Sequence, residues 1–179
     1  MCSSDLEIRD LETAQMAVQA SLTGHLVLST LHTNDAPSAV TRLLDLGAPH
    51  YLIQSTLAGV VAQRLVRMLC PHCKVESTQD EDAWRALIHG WELPVPQRVF
   101  APKGCLECRN TGYLGRTGIY EMMPISPKLR AMISPQLDLG GFSATALAEG
   151  MRPLRISAAA QVARGITTVQ EVLNVLPAE

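Results

Sequence analysis

Aromatic side chains are scarce, at 4% of the 179 residues, and basic residues do not outnumber acidic ones (15 Lys+Arg against 17 Asp+Glu). A nucleic-acid surface needs clustered cations, with aromatics for base stacking. No such stripe exists here, so no nucleic-acid partner is expected. Long apolar runs are also missing. None approaches the roughly 18 residues that span a bilayer. The opening "MCSSDLEIRD" is polar and charged, unlike the apolar core of a secretory leader. The expected compartment is the cytoplasm, where thiols stay reduced. Hydrophobic residues, by contrast, make up 47% of the chain, ample for a buried core in one domain or two small ones.

The 5 cysteines are few but patterned. Cys70 and Cys73 bracket "CPHC", and Cys105 and Cys108 bracket "CLEC". Thiolates two residues apart can both face one tetrahedral ion, and two such knuckles complete an S4 shell for zinc. Pro71 and Gly104 suit the tight turns of a knuckle. The separation exceeds that of a compact zinc ribbon, but loop length costs little entropy. A disulfide frame suits the expected compartment poorly, and a redox pair has no use for two copies. With four sulfurs available, His72 is not needed as a ligand, and the ion is expected to be structural. Cys2 is the odd thiol.

Periodicity organises the rest. Ala14, Ala17, Val18 and Leu22 recur at helical spacing, giving a helix over 10–23 stopped by Gly24. "HLVLSTLH" (25–32) is a short apolar run that reads as a buried strand of a parallel sheet. Asn34 or Asp35 can cap the next helix, with Pro37 in its first turn. "APHYLIQSTLAGVV" reads as helix, and "QRLVRML" (63–69) as strand. A short helix is expected around "DEDAWRALIHG", between the cysteine pairs. After the second pair "GIYEMM" reads as strand. The tail is helical, with breaks at Pro or Gly. Thr167 or Thr168 can cap its last helix, with Glu171 placed for a capping box. Metal binding would set the strands flanking the two knuckles side by side and antiparallel.

The stretch "EIRDLETAQMAVQASLTGHLVLSTLHTNDAPSAVTRLLDLG" closely resembles the secretion ATPases of type II secretion (GspE) and type IV pilus assembly (PilB). "AQRLVRMLC", "TGYLGRTGIYEMM" and "GMRPLRISAAAQVARGITTVQEVL" follow in that family's order. The resemblance covers nearly all of 7–176, and both branches carry a four-cysteine insert that retraction motors lack. It implies a RecA-like α/β core and assembly into a homo-hexamer. It also implies a structural Zn2+, with ATP and Mg2+ as cofactors of the parent protein. The parent would sit at the cytoplasmic face of the inner membrane, held there by platform proteins of the secretion or pilus apparatus.

The resemblance also assigns residues. Glu7 matches the acidic residue that closes the Walker B motif. Arg9, Asp10, Glu12 and Thr13 match the turn after it. The family has glycine where Leu6 stands. His25 and His32 match the two histidines of the "His box" in "GHLVLSTLHTN". His32, at the carboxyl end of the expected strand, is placed to meet a γ-phosphate, and His25 to position it. The expected catalytic residues are thus Glu7 and His32, with Arg9, His25 and His32 toward the nucleotide. Arg64, Arg67, Arg116 and Thr117 stay open between solvent-facing side chains and contacts to phosphate or a neighbouring subunit.

No G-x-x-x-x-G-K-[ST] occurs in the chain, and that loop supplies most phosphate binding in such ATPases. "CSSDL" is also what a common sequencing adapter encodes in frame. The expected organisation is therefore a foreign start (1–6), the carboxyl part of a RecA-like core (7–69), a tetracysteine insert (70–110), and a returning strand with a helical region (111–179). The chain alone is expected to be inactive. A rival reading, a stand-alone zinc-ribbon module that docks a protein without nucleotide chemistry, explains the cysteines and leaves the His box idle.

Overall fold

The structure is a computed structural model, and it describes residues 7–78 and 80–176. The expected foreign start (1–6) and Cys2 lie outside these residues. The chain is α/β, and it divides into two units, 1–62 with 121–151 and 63–120 with 152–179.

Three helices open the first unit: α1 (Leu11–Leu22), α2 (Ala36–Asp45) and α3 (His50–Thr56). Asp10 begins α1 by accepting the Thr13 N–H at 2.9 Å. The Thr13 hydroxyl accepts the Arg9 and Asp10 N–H groups in return. This reciprocal cap accounts locally for three of the residues that the resemblance singled out. In α2, Asp35 is the cap and accepts from Ser38 N–H at 2.8 Å, with Pro37 in the first turn. That helix turns Ala36, Ala39 and Val40 inward. The unit is completed by α5 (Pro127–Met132) and α6 (Leu139–Ala148). Ile53, Leu129, Ile133 and Phe142 are fully buried there.

Strands β1 (Gly59–Leu69) and β4 (Tyr113–Pro124) pair with each other, and the boundary between units falls within both. Their ends give the direction. Ile125 N–H donates to Ala58 C=O, and Cys70 N–H donates to Gly112 C=O. The pair is antiparallel, as the two-knuckle argument expects.

The second unit adds α4 (Glu81–Leu87), α7 (Leu154–Ala163) and α8 (Val169–Val175) around Trp84, Leu87, Ala158, Val162 and Val172. It also holds a small antiparallel hairpin of β2 (Val75–Ser77) and β3 (Val99–Ala101).

Two expectations fail. Residues 25–32 form no strand, and they are not buried: Leu26 is 69% exposed and Leu28 53%. The segment keeps one rudiment of the expected parallel pairing, a bridge between Glu7 and Thr30 with Ile8 N–H donating to Thr30 C=O at 2.9 Å. A buried parallel strand needs both of its faces covered, and Leu26 and Leu28 are left uncovered here. The helix expected over "APHYLIQSTLAGVV" stops at Thr56, and Gly59 opens β1 instead. A Cβ at Gly59 would lie 3.3 Å from the Met123 carbonyl oxygen, so close strand pairing overrides the helical pattern there.

Candidate functional site

Two clusters carry chemistry, one in each unit. The first joins the start of the described chain to the segment after α1. Glu7 Oε1 lies 3.0 Å from His32 Nε2, and its other oxygen, Oε2, accepts from the Arg9 guanidinium. The hydrogen bond from Arg9 holds the Glu7 carboxyl below the usual carboxylate range, and Glu7 raises Arg9 in return. Glu7 is therefore ionised at neutral pH, with both oxygens engaged. These residues line an open depression of about 350 Å³ together with Ile8, Leu31 and Arg42. Arg42 comes from α2, and the sequence reading did not single it out. Its signal was only a cation near the end of an amphipathic helix.

His25 does not join this depression. It sits past the end of α1, with its Nδ1 3.0 Å from the Thr23 hydroxyl. Of the arginines left open, Arg67 is engaged within its own unit. The Arg67 backbone N–H and side-chain Nε donate to Glu171 at 3.0 and 2.9 Å, and its guanidinium lies 4.3 Å from the centre of the Tyr113 ring. Glu171 is thereby spent. Thr168 caps α8 by accepting the Glu171 N–H at 3.1 Å, but the Glu171 carboxylate goes to Arg67 instead of closing a capping box.

The second cluster holds Cys70, Cys73, Cys105 and Cys108, all of whose sulfurs lie within 4.8 Å of one another. The separations are 3.9 Å for Cys70–Cys105 and 3.8 Å for both Cys73–Cys108 and Cys105–Cys108. A zinc–sulfur bond of about 2.3 Å requires a tetrahedral edge of about 3.8 Å. The cluster is thus compatible with a four-thiolate zinc site. Backbone sets the geometry. Cys70 C=O accepts from Cys73 and Lys74, and Cys105 C=O accepts from Asn110. Gly104 has φ +97°, and a Cβ there would lie 2.8 Å from the Asn110 oxygen.

The thiols differ in acidity. Burial pushes Cys70 up, and Cys73 to about 11. Burial also acts on Cys108, but N–H donors from Cys105 and Gly112, each 3.2 Å from its sulfur, bring it down to about 6. Four thiolates packed this closely repel one another, and a dication is the partner that lets all ionise. His72 has no place among these ligand atoms.

A family model described as "Type II/IV secretion system protein" matches residues 6–174. The chain is 52% identical over 171 residues to the type IV pilus assembly ATPase TfpB of Acinetobacter baylyi, covering 96% of this chain and 29% of that protein. It is 48% identical over 169 residues to the type II secretion system protein HxcR of Pseudomonas aeruginosa, covering 94% and 32%. The chain therefore spans about a third of the length of these relatives.

Among solved structures, the pilus retraction motor PilT with bound ADP matches with a TM-score of 0.59 at 21% identity, over 96% of this chain and 38% of that one. The ATPase DotB of Legionella pneumophila matches at 0.61 and 18%, over 97% and 38%. At such identity these two show a shared fold and nothing finer. The family match and the relatives near 50% identity are decisive: the chain belongs to the Type II/IV secretion system protein family.

Proposed function

We propose that this chain is the carboxyl half of the motor domain of a hexameric ATPase that drives type II secretion or type IV pilus assembly. The observation that carries the reading is the Glu7–His32 contact beside Arg9 in an open depression. Residues 7–69 form the end of a RecA-like core, 70–110 a zinc-stabilised insert, and 111–179 the returning strand and helical region. The parent assembles as a homo-hexamer against platform proteins at the cytoplasmic face of the inner membrane.

In this reading Mg2+–ATP is held by a phosphate loop elsewhere in the parent, and the residues of this chain read its γ-phosphate. Glu7, ionised at neutral pH, orients the attacking water or accepts its proton. Both Glu7 oxygens are engaged here, so that work requires His32 or Arg9 to let one go. His32 is the group placed to exchange its hydrogen bond with Glu7 for one to phosphate, and His25 steadies the segment. The four cysteines, with zinc, supply a rigid cross-link and no chemistry. A stand-alone zinc-ribbon docking module accounts for the cysteines alone and leaves the Glu7–His32 pair without a task.

The test is a titration of the purified 179-residue chain with Mg2+–ATP, beside the parent protein with and without His32→Ala. The chain alone is expected to show no micromolar binding and no hydrolysis. In the parent, His32→Ala is expected to lower kcat by about 10²-fold, the scale of one lost transition-state donor. Tight ATP binding by the isolated chain, or a parent indifferent to His32→Ala, would overturn the reading.

A further inference from the structure

Ile119, Glu121 and Met123 form the buried side of the carboxyl part of β4. Ile119 and Met123 are what a core face requires. Glu121 breaks the pattern, because a carboxylate taken from water is costly unless it is paired. It is only 4% exposed. Breaks in an otherwise consistent local pattern mark places where something other than folding is being satisfied.

Its partner is specific. Glu121 Oε1 accepts the backbone N–H of Ala36 at 2.7 Å, across 85 positions of sequence. Ala36 is the first residue of α2, where N–H groups have no acceptor within the helix. Ser38 N–H is taken by Asp35, and Pro37 has no N–H to offer. The first turn of α2 is therefore sealed by two carboxylates, both on the favourable end of the helix dipole. It has no amide left for an anion at these three positions. The segment that enters this turn is "HTND", beginning at His32. Within it, the Thr33 hydroxyl donates to Asp35 C=O at 3.1 Å.

We propose that Glu121 is a positioning residue for His32. By gripping the first amide of α2 it fixes the end of the short segment from which His32 reaches Glu7. It acts through Ala36 and does not itself meet the nucleotide. The catalytic half of this inference rests on the role given to His32 above; the structural half does not.

Two measurements test it. In the 179-residue chain, NMR follows Ala36 amide exchange and the His32 imidazole signals. In the parent, kcat and KM are measured for Glu121→Leu, Glu121→Gln, His32→Ala and the Glu121→Leu/His32→Ala double variant. Glu121→Leu is expected to speed Ala36 exchange, to shift the His32 signals, and to lower kcat by about 10- to 100-fold with KM nearly unchanged. Glu121→Gln keeps an oxygen acceptor and is expected to rescue most of each effect. The double variant should be no slower than His32→Ala alone. Unchanged His32 signals in Glu121→Leu, with only the melting temperature lowered, would overturn the proposal. So would losses that simply add in the double variant. If His32→Ala leaves kcat intact, the functional reading of His32 fails, and the NMR shifts alone decide whether Glu121 positions it.

Discussion

The four cysteines of the second unit close on one another, whereas Glu7, Arg9 and His32 of the first unit lie open. Sulfur separations of 3.8–3.9 Å already match the edge of a metal tetrahedron, and Cys70, Cys73 and Cys108 are buried. His32, by contrast, has 93% of its side chain exposed. A structural metal site needs only its own ligands and the turns that carry them. A site that reads a phosphate must leave room for the phosphate, and its residues make do with one another until it arrives. The proposed zinc site is thus closed by its own ligands, and the proposed phosphate-reading site is left open.

The largest expected effect lies on the closed side. Cys70→Ser, or a strong chelator, should take bound zinc from about one ion per chain to near zero. The loss of binding energy is on the order of 10 kcal/mol. Amide exchange should rise far more across 63–120 and 152–176 than across 7–62. Equal protection with and without metal would remove the structural role from the cluster.

Next in size is the Arg67–Glu171 pair. Arg67→Ala strands a buried carboxylate, which costs about 3–5 kcal/mol in fully buried pairs. The Arg67 side chain is 49% exposed, so a loss of about 2 kcal/mol is expected in denaturant titrations. The pair also has a pH signature. Hydrogen bonding to Arg67 lowers Glu171, so its stabilisation is present above the unfolded carboxyl value of about 4.3 and fades as pH falls through the lower folded value. Glu171→Gln should flatten that acid limb. An unchanged limb would place the stabilisation elsewhere.

Smaller again is the cap of α1. Asp10→Ala should loosen the first turn of α1, read as faster local amide exchange over 11–14. Smallest is the exposed Arg98–Glu76 pair, bidentate at 3.1 and 2.8 Å. A double-mutant cycle there should give a coupling near the limit of detection that vanishes in high salt.

What the sequence revealed follows from range. The two knuckles and the helices after α4 are written in neighbouring residues, and local spacing was enough to read them. Spacing narrowed the caps of α2 and α8 to adjacent pairs, of which Asp35 and Thr168 are the ones used. The fate of Glu171 was not, because its partner Arg67 lies 104 positions away. Glu121 looked like one more strand residue until Ala36 proved to be its partner. The run 25–32 misled for the opposite reason. Its composition suits a buried strand, but burial depends on what lies alongside, and Glu7 and Ile8 supply a single bridge. Family resemblance singled out Glu7 and His32 separately, but nothing in the sequence announced their direct contact.

Steady-state ATP hydrolysis by the parent protein carrying Glu7→Gln is the most direct test of the motor reading. Removing a positioned carboxylate should lower kcat by about 10²–10⁴-fold while KM for ATP moves little. A variant that hydrolyses ATP as fast as the unaltered parent would contradict the role given to the open cluster.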